Sequence, residues 1–190
     1  QVLTYIAVPP LILAGLPAWL IEPVFGRPFI QKTVRMVANP FLAVVLFNAL
    51  FSFYHLPTTF DWLMSHPFYM TVSSGLLFIT AFIMWWPLVT PLKQFDRLSY
   101  LQKLGYVFAA GVLLTPACAL IIFSNTVLYE TYANAERLID WFAPLDDQQA
   151  GGIIMKVLQE IVYGTMLGVI FFQWARKDKR ESSSDRFVLE

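Results

Sequence analysis

The sequence contains two histidines, six methionines and one cysteine, and these are its soft or borderline metal donors. Their placement is not scattered. His55 sits in His55-Leu56-Pro57, where a proline stops an apolar run. His66 precedes Pro67, a natural start for the next helix. The intervening segment Thr58 to Ser65 is short, so both imidazoles are expected at the same end of two adjacent helices. Met70 lies four residues past His66, one helical turn on. Imidazole beside thioether suits Cu(I) better than Mg²⁺ or Ca²⁺. Cys118 follows Thr115-Pro116, where proline opens the backbone hydrogen-bond ladder, and a thiolate would also bind Cu(I). Each donor has a plainer reading: His55 as a hydrogen bonder at a helix end, Met70 as packing and Cys118 as a small hydrophobe. The carboxylates Asp61, Asp146 and Asp147, with Gln148, fall near the same end.

A second polar group is of a different kind. Lys156 and Glu160 are four residues apart inside an apolar run, so they share a helix face and can pair. At 1.5 Å per residue Glu160 lies about 16 Å beyond Gln149, near the middle of a bilayer. A charge pair at that depth is either functional or a lock between helices. Gly164 and Gly168 add a small-xxx-small face that permits close helix contact.

Several function classes are excluded by what is missing. One cysteine allows neither an intrachain disulfide nor a CxxC zinc cluster. There is no HExxH, no Ser/His/Asp arrangement and no Glu-x-x-His for a di-iron cage, so an enzyme is not expected. Lys and Arg balance Asp and Glu at thirteen each, which gives a nucleic-acid partner no support.

The elements that must position these residues are membrane helices. The 190 residues are 57% hydrophobic and 14% charged, with a mean hydropathy of +0.59. A soluble domain carries about a quarter charged residues. Five runs are long and apolar enough to span: 2–21, 37–54, 67–89, 104–123 and 151–174. Pro9-Pro10 should kink the first. None alternates with period two, so the fold class is all-α, a polytopic membrane helical bundle, and not a barrel. Eleven of the thirteen basic residues fall on alternate loops and the tail: Arg27, Lys32 and Arg35; Lys93, Arg97 and Lys103; Arg176, Lys177, Lys179, Arg180 and Arg186. The positive-inside rule then places residue 1 outside and the C-terminus in the cytoplasm. The histidines map to the outer mouth. Tyr129, Tyr132, Leu138, Ile139 and Trp141 are expected in a short interfacial helix. Residues 181–190 read as a cytoplasmic tail, with the Ser-rich, charged Glu181 to Asp185 expected to be disordered. Gln1 opens inside an apolar run, so the chain reads as a fragment.

A set of short motifs gives this pattern a family likeness. Val8-Pro9-Pro10-Leu11 and Gly15-Leu16-Pro17 lie in the first run, and Asn39-Pro40 opens the second. His55-Leu56-Pro57, Asp61 and His66 follow, then Trp86-Pro87, Leu128-Tyr129 and Tyr132. The most specific piece is Asp147-Gln148-Gln149-Ala150-Gly151 with Ile153-Ile154-Met155. In this order, over nearly the whole chain, they resemble the CtaG family of membrane proteins that assemble caa3-type cytochrome c oxidase. The resemblance implies an assembly factor that helps install copper, with oxidase subunits as partners and an extracytoplasmic copper chaperone as a further one. It also implies helices upstream of Gln1, with a histidine-containing segment.

Under that resemblance His55 and His66 become expected first ligands for Cu(I), with Met70 and Cys118 as soft partners. Asp147, Asp61 and Gln148 would orient them. Lys156 and Glu160 would lie beneath as a structural pair or gate. Two other readings compete. A metal-free scaffold would bind oxidase subunits or other assembly factors and use the histidines as helix-end hydrogen bonders. A small copper transporter would need polar residues through to the inner face, where Trp85-Trp86 forms a plug instead.

Overall fold

A computed structural model describes residues 1–133 and 143–188, with side chains described as far as 180. It contains helices α1 (Val8–Gly15), α2 (Ala18–Phe25), α3 (Pro28–Val37), α4 (Pro40–Tyr54) and α5 (Pro57–Met64). Then come α6 (Pro67–Val89), α7 (Tyr100–Ile122), α8 (Glu130–Ala133) and α9 (Pro144–Val188). A π-helical turn, Leu3–Ala7, leads into α1, and a 3₁₀ turn, Lys93–Phe95, precedes α7.

Among the described residues three helices are long and apolar enough to cross a membrane, α6, α7 and the Pro144–Arg180 part of α9. Two bent pairs raise the number to five if each is one span. The architecture is therefore the expected helical membrane bundle. α6 has the expected limits, because Pro67 starts it and Thr90, followed by Pro91, ends it. Its 23 residues reach about 34 Å, enough for the hydrocarbon core.

The first run departs from expectation. Pro9-Pro10 does not break the first helix; the chain stays helical from the π turn through α1, and the prolines fall where π geometry gives way to α geometry. The break falls at Leu16-Pro17, and the two halves meet at 96°. The residue before a proline is driven out of the α region, and Leu16 sits at φ −77°, ψ 117°. The second run forms α4 from Pro40, and α3 precedes it across a 62° bend at Ala38-Asn39, again before a proline. Asn39 then caps α4, its side-chain oxygen accepting from Phe41 and Leu42 N–H. α4 alone has 15 residues, about 22 Å, and α3 is amphipathic, with Lys32 and Arg35 among Phe29, Val34 and Met36.

The core lies where α4, α6, α7 and α9 meet, with α1 against α6. Phe47 and Phe51 of α4, Met84 and Trp85 of α6 and Leu114 of α7 are nearly or fully inaccessible. The closest approach is between α7 and α9. A Cβ at Gly152 would stand 2.9 Å from Ile121 Cγ2 and 3.0 Å from Ile122 Cγ1. Gln159, fully buried, donates to the Gly111 carbonyl and accepts from the Cys118 thiol. The expected glycine face at Gly164 and Gly168 is not the packed one, since an added Cβ there meets nothing within 4 Å.

At its far end α9 continues to Val188 rather than dissolving into a disordered tail at 181. Of the expected interfacial helix, Tyr132 lies in α8 and Tyr129 just before it; Leu138, Ile139 and Trp141 lie outside the described residues.

The glycine geometry gives a paired prediction. Gly152→Leu should separate α7 from α9 and destabilise the bundle by about 1–3 kcal/mol, the usual cost of overpacking. Gly164→Ala should be neutral or slightly stabilising. Thermal unfolding in detergent decides it, and equal effects of the two substitutions would contradict this packing.

Candidate functional site

The last turn of α4, α5, the start of α6, the segment 124–131 and the first turn of α9 converge at one end of the bundle, here called the mouth. Their joining bonds are specific. The Tyr129 hydroxyl donates to the His55 carbonyl at 2.8 Å. Burial, with the nearby Asp61 charge, pushes the Tyr129 phenol up to about 12, so it stays a donor at neutral pH. Asp61 accepts from Glu130 N–H and Thr131 N–H, each at 3.2 Å, and from the Thr131 hydroxyl at 2.7 Å. Gln148 accepts from Leu128 N–H at 2.7 Å and donates to the Thr126 carbonyl, while Gln149 donates to the Ser124 carbonyl at 2.9 Å. These bonds satisfy loop backbone groups that would otherwise be orphaned near the bilayer.

His55 closes α4. Its backbone N–H bonds back to Phe51 and Ser52 carbonyls, and its Nδ1 lies 2.7 Å from the Phe51 carbonyl, to which it must donate. The ring is 5% exposed and packs 4.2 Å from Phe51 and 5.3 Å from Tyr54. Phe60, Tyr129 and Tyr132 extend the same aromatic cluster. His55 is thus built into the mouth.

His66 is its opposite in exposure. It lies on the surface at the head of α6, its ring stacked 4.6 Å from Trp62. Nδ1 is 2.8 Å from the Trp62 carbonyl and 3.0 Å from the Ser65 hydroxyl. The segment between the histidines is a helix, α5, rather than a loop, so Trp62 stands one turn before His66 and fixes its ring. In both residues the carbonyl takes the Nδ1 proton, which leaves Nε2 with the lone pair.

The remaining expected ligands are spent elsewhere. Met70 is half-buried, and its sulfur accepts from the Tyr54 hydroxyl at 3.5 Å. Cys118 is buried between α7 and α9, bonded to Gln159 at 3.5 Å. Asp147 is exposed in the first turn of α9, where a carboxylate favours the helix N-terminus. Among the described residues, neither Asp61 nor Gln148 hydrogen-bonds an imidazole. Among those residues, too, no three His, Cys, Asp or Glu side chains gather closely enough to hold a metal ion. Proximity to one end of the bundle, which the sequence gives, is a weaker condition than convergence of donor atoms.

Lys156 and Glu160 do pair, at 2.6 Å, and the Lys156 ammonium also donates to Thr115 on α7 at 3.0 Å. The Glu160 side chain is 58% exposed on the bundle surface, so the pair faces outward beside the α7–α9 seam. The partners missed from the sequence are Tyr54, Thr115 and Thr131, whose roles depend on contacts between separate helices. Trp62 was readable in principle, being four residues before His66.

The buried imidazole has a consequence for pH. Burial lowers the His55 pKa from 6.5 to about 4. An unfolded histidine takes its proton near pH 6.5, while the folded one resists until about 4. Stability present above pH 6.5 is therefore lost as pH falls between those values, by up to about 3 kcal/mol. Unfolding midpoints at pH 7.5 and 5 should differ more for the wild type than for His55→Asn; identical pH slopes would contradict the assignment.

Compared with curated proteins and with solved structures, the chain matches none. The family model for the cytochrome c oxidase caa3 assembly factor, Caa3_CtaG, matches residues 1–177. That match takes in α1 to α7, the mouth and the membrane part of α9, in agreement with the motif likeness at Pro9-Pro10, His55-Leu56-Pro57 and Asp147-Gln148-Gln149. The chain belongs to the cytochrome c oxidase caa3 assembly factor family.

Proposed function

We propose that the chain serves oxidase assembly as a membrane-embedded scaffold, holding an oxidase subunit against a pre-built mouth on the outer side. The observation that carries this reading is the use of the mouth's polar groups. Asp61, Gln148, Gln149, Tyr129 and Met70 are all engaged in bonds that fix the mouth's own backbone and side chains. A surface fixed in this way loses little conformational entropy on docking. Exposed Trp62, Tyr69 and Phe68 surround His66 and supply the aromatic contacts that membrane-level interfaces favour. Placement of this face outside rests on the distribution of Lys and Arg.

A second reading is favoured by one observation. In each histidine a carbonyl at Nδ1 orients the ring and leaves Nε2 with the lone pair, the arrangement that metal-binding histidines use, and His66 carries it on the surface. Copper would then be cargo, held as Cu(I) by few ligands and completed by the receiving subunit or by an extracytoplasmic copper chaperone. Low coordination number favours exchange over storage.

Two measurements separate these readings. Copper quantification after Cu(I) loading should give equally little metal for the wild type and for the His55→Ala/His66→Ala double variant under the scaffold reading. Near-stoichiometric copper that the double variant loses would install the handover reading instead. Asp61→Ala removes three bonds to α8 and should lower the yield of mature oxidase several-fold while leaving copper binding unchanged. Full maturation in that variant would sink the scaffold assignment.

A further inference from the structure

The end of the bundle opposite the mouth carries a cleft that the proposed scaffold role does not use. It lies between α3, the N-terminus of α4, the C-terminal turn of α6 and the segment leading into α7. Its walls include Val34, Arg35, Trp86, Pro87, Phe95 and Arg97. The internal space is about 50 Å³, room for about three or four water-sized groups, the scale of a phosphate with its oxygens.

Three features give the cleft a ligand preference. Arg35 and Arg97 come from distant parts of the chain and line the same small space. Neither forms an ion pair among the described residues, and Asp96, the acid beside Arg97, pairs with Lys103 at 2.8 Å. The floor is apolar and aromatic: Trp86 stacks on Phe25 at 5.0 Å and meets Phe95 edge-on at 5.8 Å. The cleft's level in the membrane is set by the ends of α6 and α4 and by α3, which turns away at 62° with Phe29 and Met36 exposed among its basic residues. An amphipathic helix of that kind lies at the headgroup boundary.

We propose that this cleft binds the phosphodiester headgroup of an anionic phospholipid, gripped by Arg35 and Arg97. Guanidinium forks match phosphate oxygens, and a basic pocket between membrane helices favours anionic lipid over zwitterionic lipid. The acyl chains would run along the exposed apolar surface of the bundle. The site is independent of the mouth, so its success or failure leaves the scaffold and copper readings untouched.

The test titrates the purified chain with phosphatidylglycerol and, separately, with phosphatidylcholine, and counts retained lipid by native mass spectrometry. The wild type should prefer phosphatidylglycerol by roughly tenfold or more. Arg35→Gln/Arg97→Gln should abolish that preference, and both positions are exposed enough for the variant to fold, which circular dichroism checks. Lys32→Gln/Lys93→Gln, which removes equal charge from the same end but outside the cleft lining, should keep the preference. The proposal is overturned if the two lipids bind equally, or if the lysine variant loses as much as the arginine variant. It is also overturned if inorganic phosphate displaces phosphatidylglycerol, which would make this a site for free phosphate.

Discussion

The mouth depends on one constraint: a loop that returns to the bundle at membrane level must find partners for its backbone. Segment 124–131 finds them in the side chains of Asp61, Gln148 and Gln149, and returns one bond through Tyr129 to the carbonyl that ends α4. An unsatisfied N–H or C=O at that level costs several kcal/mol. Those side chains are therefore structural before they are anything else. The same logic places His55, whose Nδ1 serves the Phe51 carbonyl and whose ring fills the aromatic cluster.

This constraint explains which residues remain available. His66 is exposed and its ring is fixed by stacking on Trp62 and by the Nδ1 bond, which leaves Nε2 with its lone pair. It stands within an apolar and aromatic surface rather than in a cage of ligands. A docking face follows naturally from such an arrangement. A metal site follows only if another molecule supplies donors. Deeper in the bundle, the Lys156–Glu160 pair is held to α7 through Thr115, and Gln159 ties Cys118 to Gly111. These interactions tie α9 to α7 beyond Gly152, whose missing side chain lets α9 pack against Ile121 and Ile122.

The fold class and the helix ends at Pro57 and Pro67 were legible because proline and apolar length act locally. The limits of α6 were legible for the same reason. The bends were only half legible. Pro9-Pro10 looked like the break, yet a π turn just before it carries the helix through, and Leu16 before Pro17 made the break instead. The pairing of Lys156 with Glu160 was legible from helical spacing. The ties of Met70 to Tyr54 and Cys118 to Gln159 were not, since each joins residues on separate helices that no spacing relates. Gly164 and Gly168 showed the opposite failure, a motif with the right spacing on a face left unpacked. The cleft of Arg35 and Arg97 left no trace in the sequence beyond the general gathering of basic residues.

The most direct test of the central claim is to isolate the chain with its oxidase partner subunit in mild detergent, before and after stripping Cu(I) with a chelator. If the mouth is a docking scaffold, the two should co-purify equally in both conditions. If the complex falls apart when copper is removed, the metal and not the pre-built surface holds the partners together, and the scaffold account is wrong.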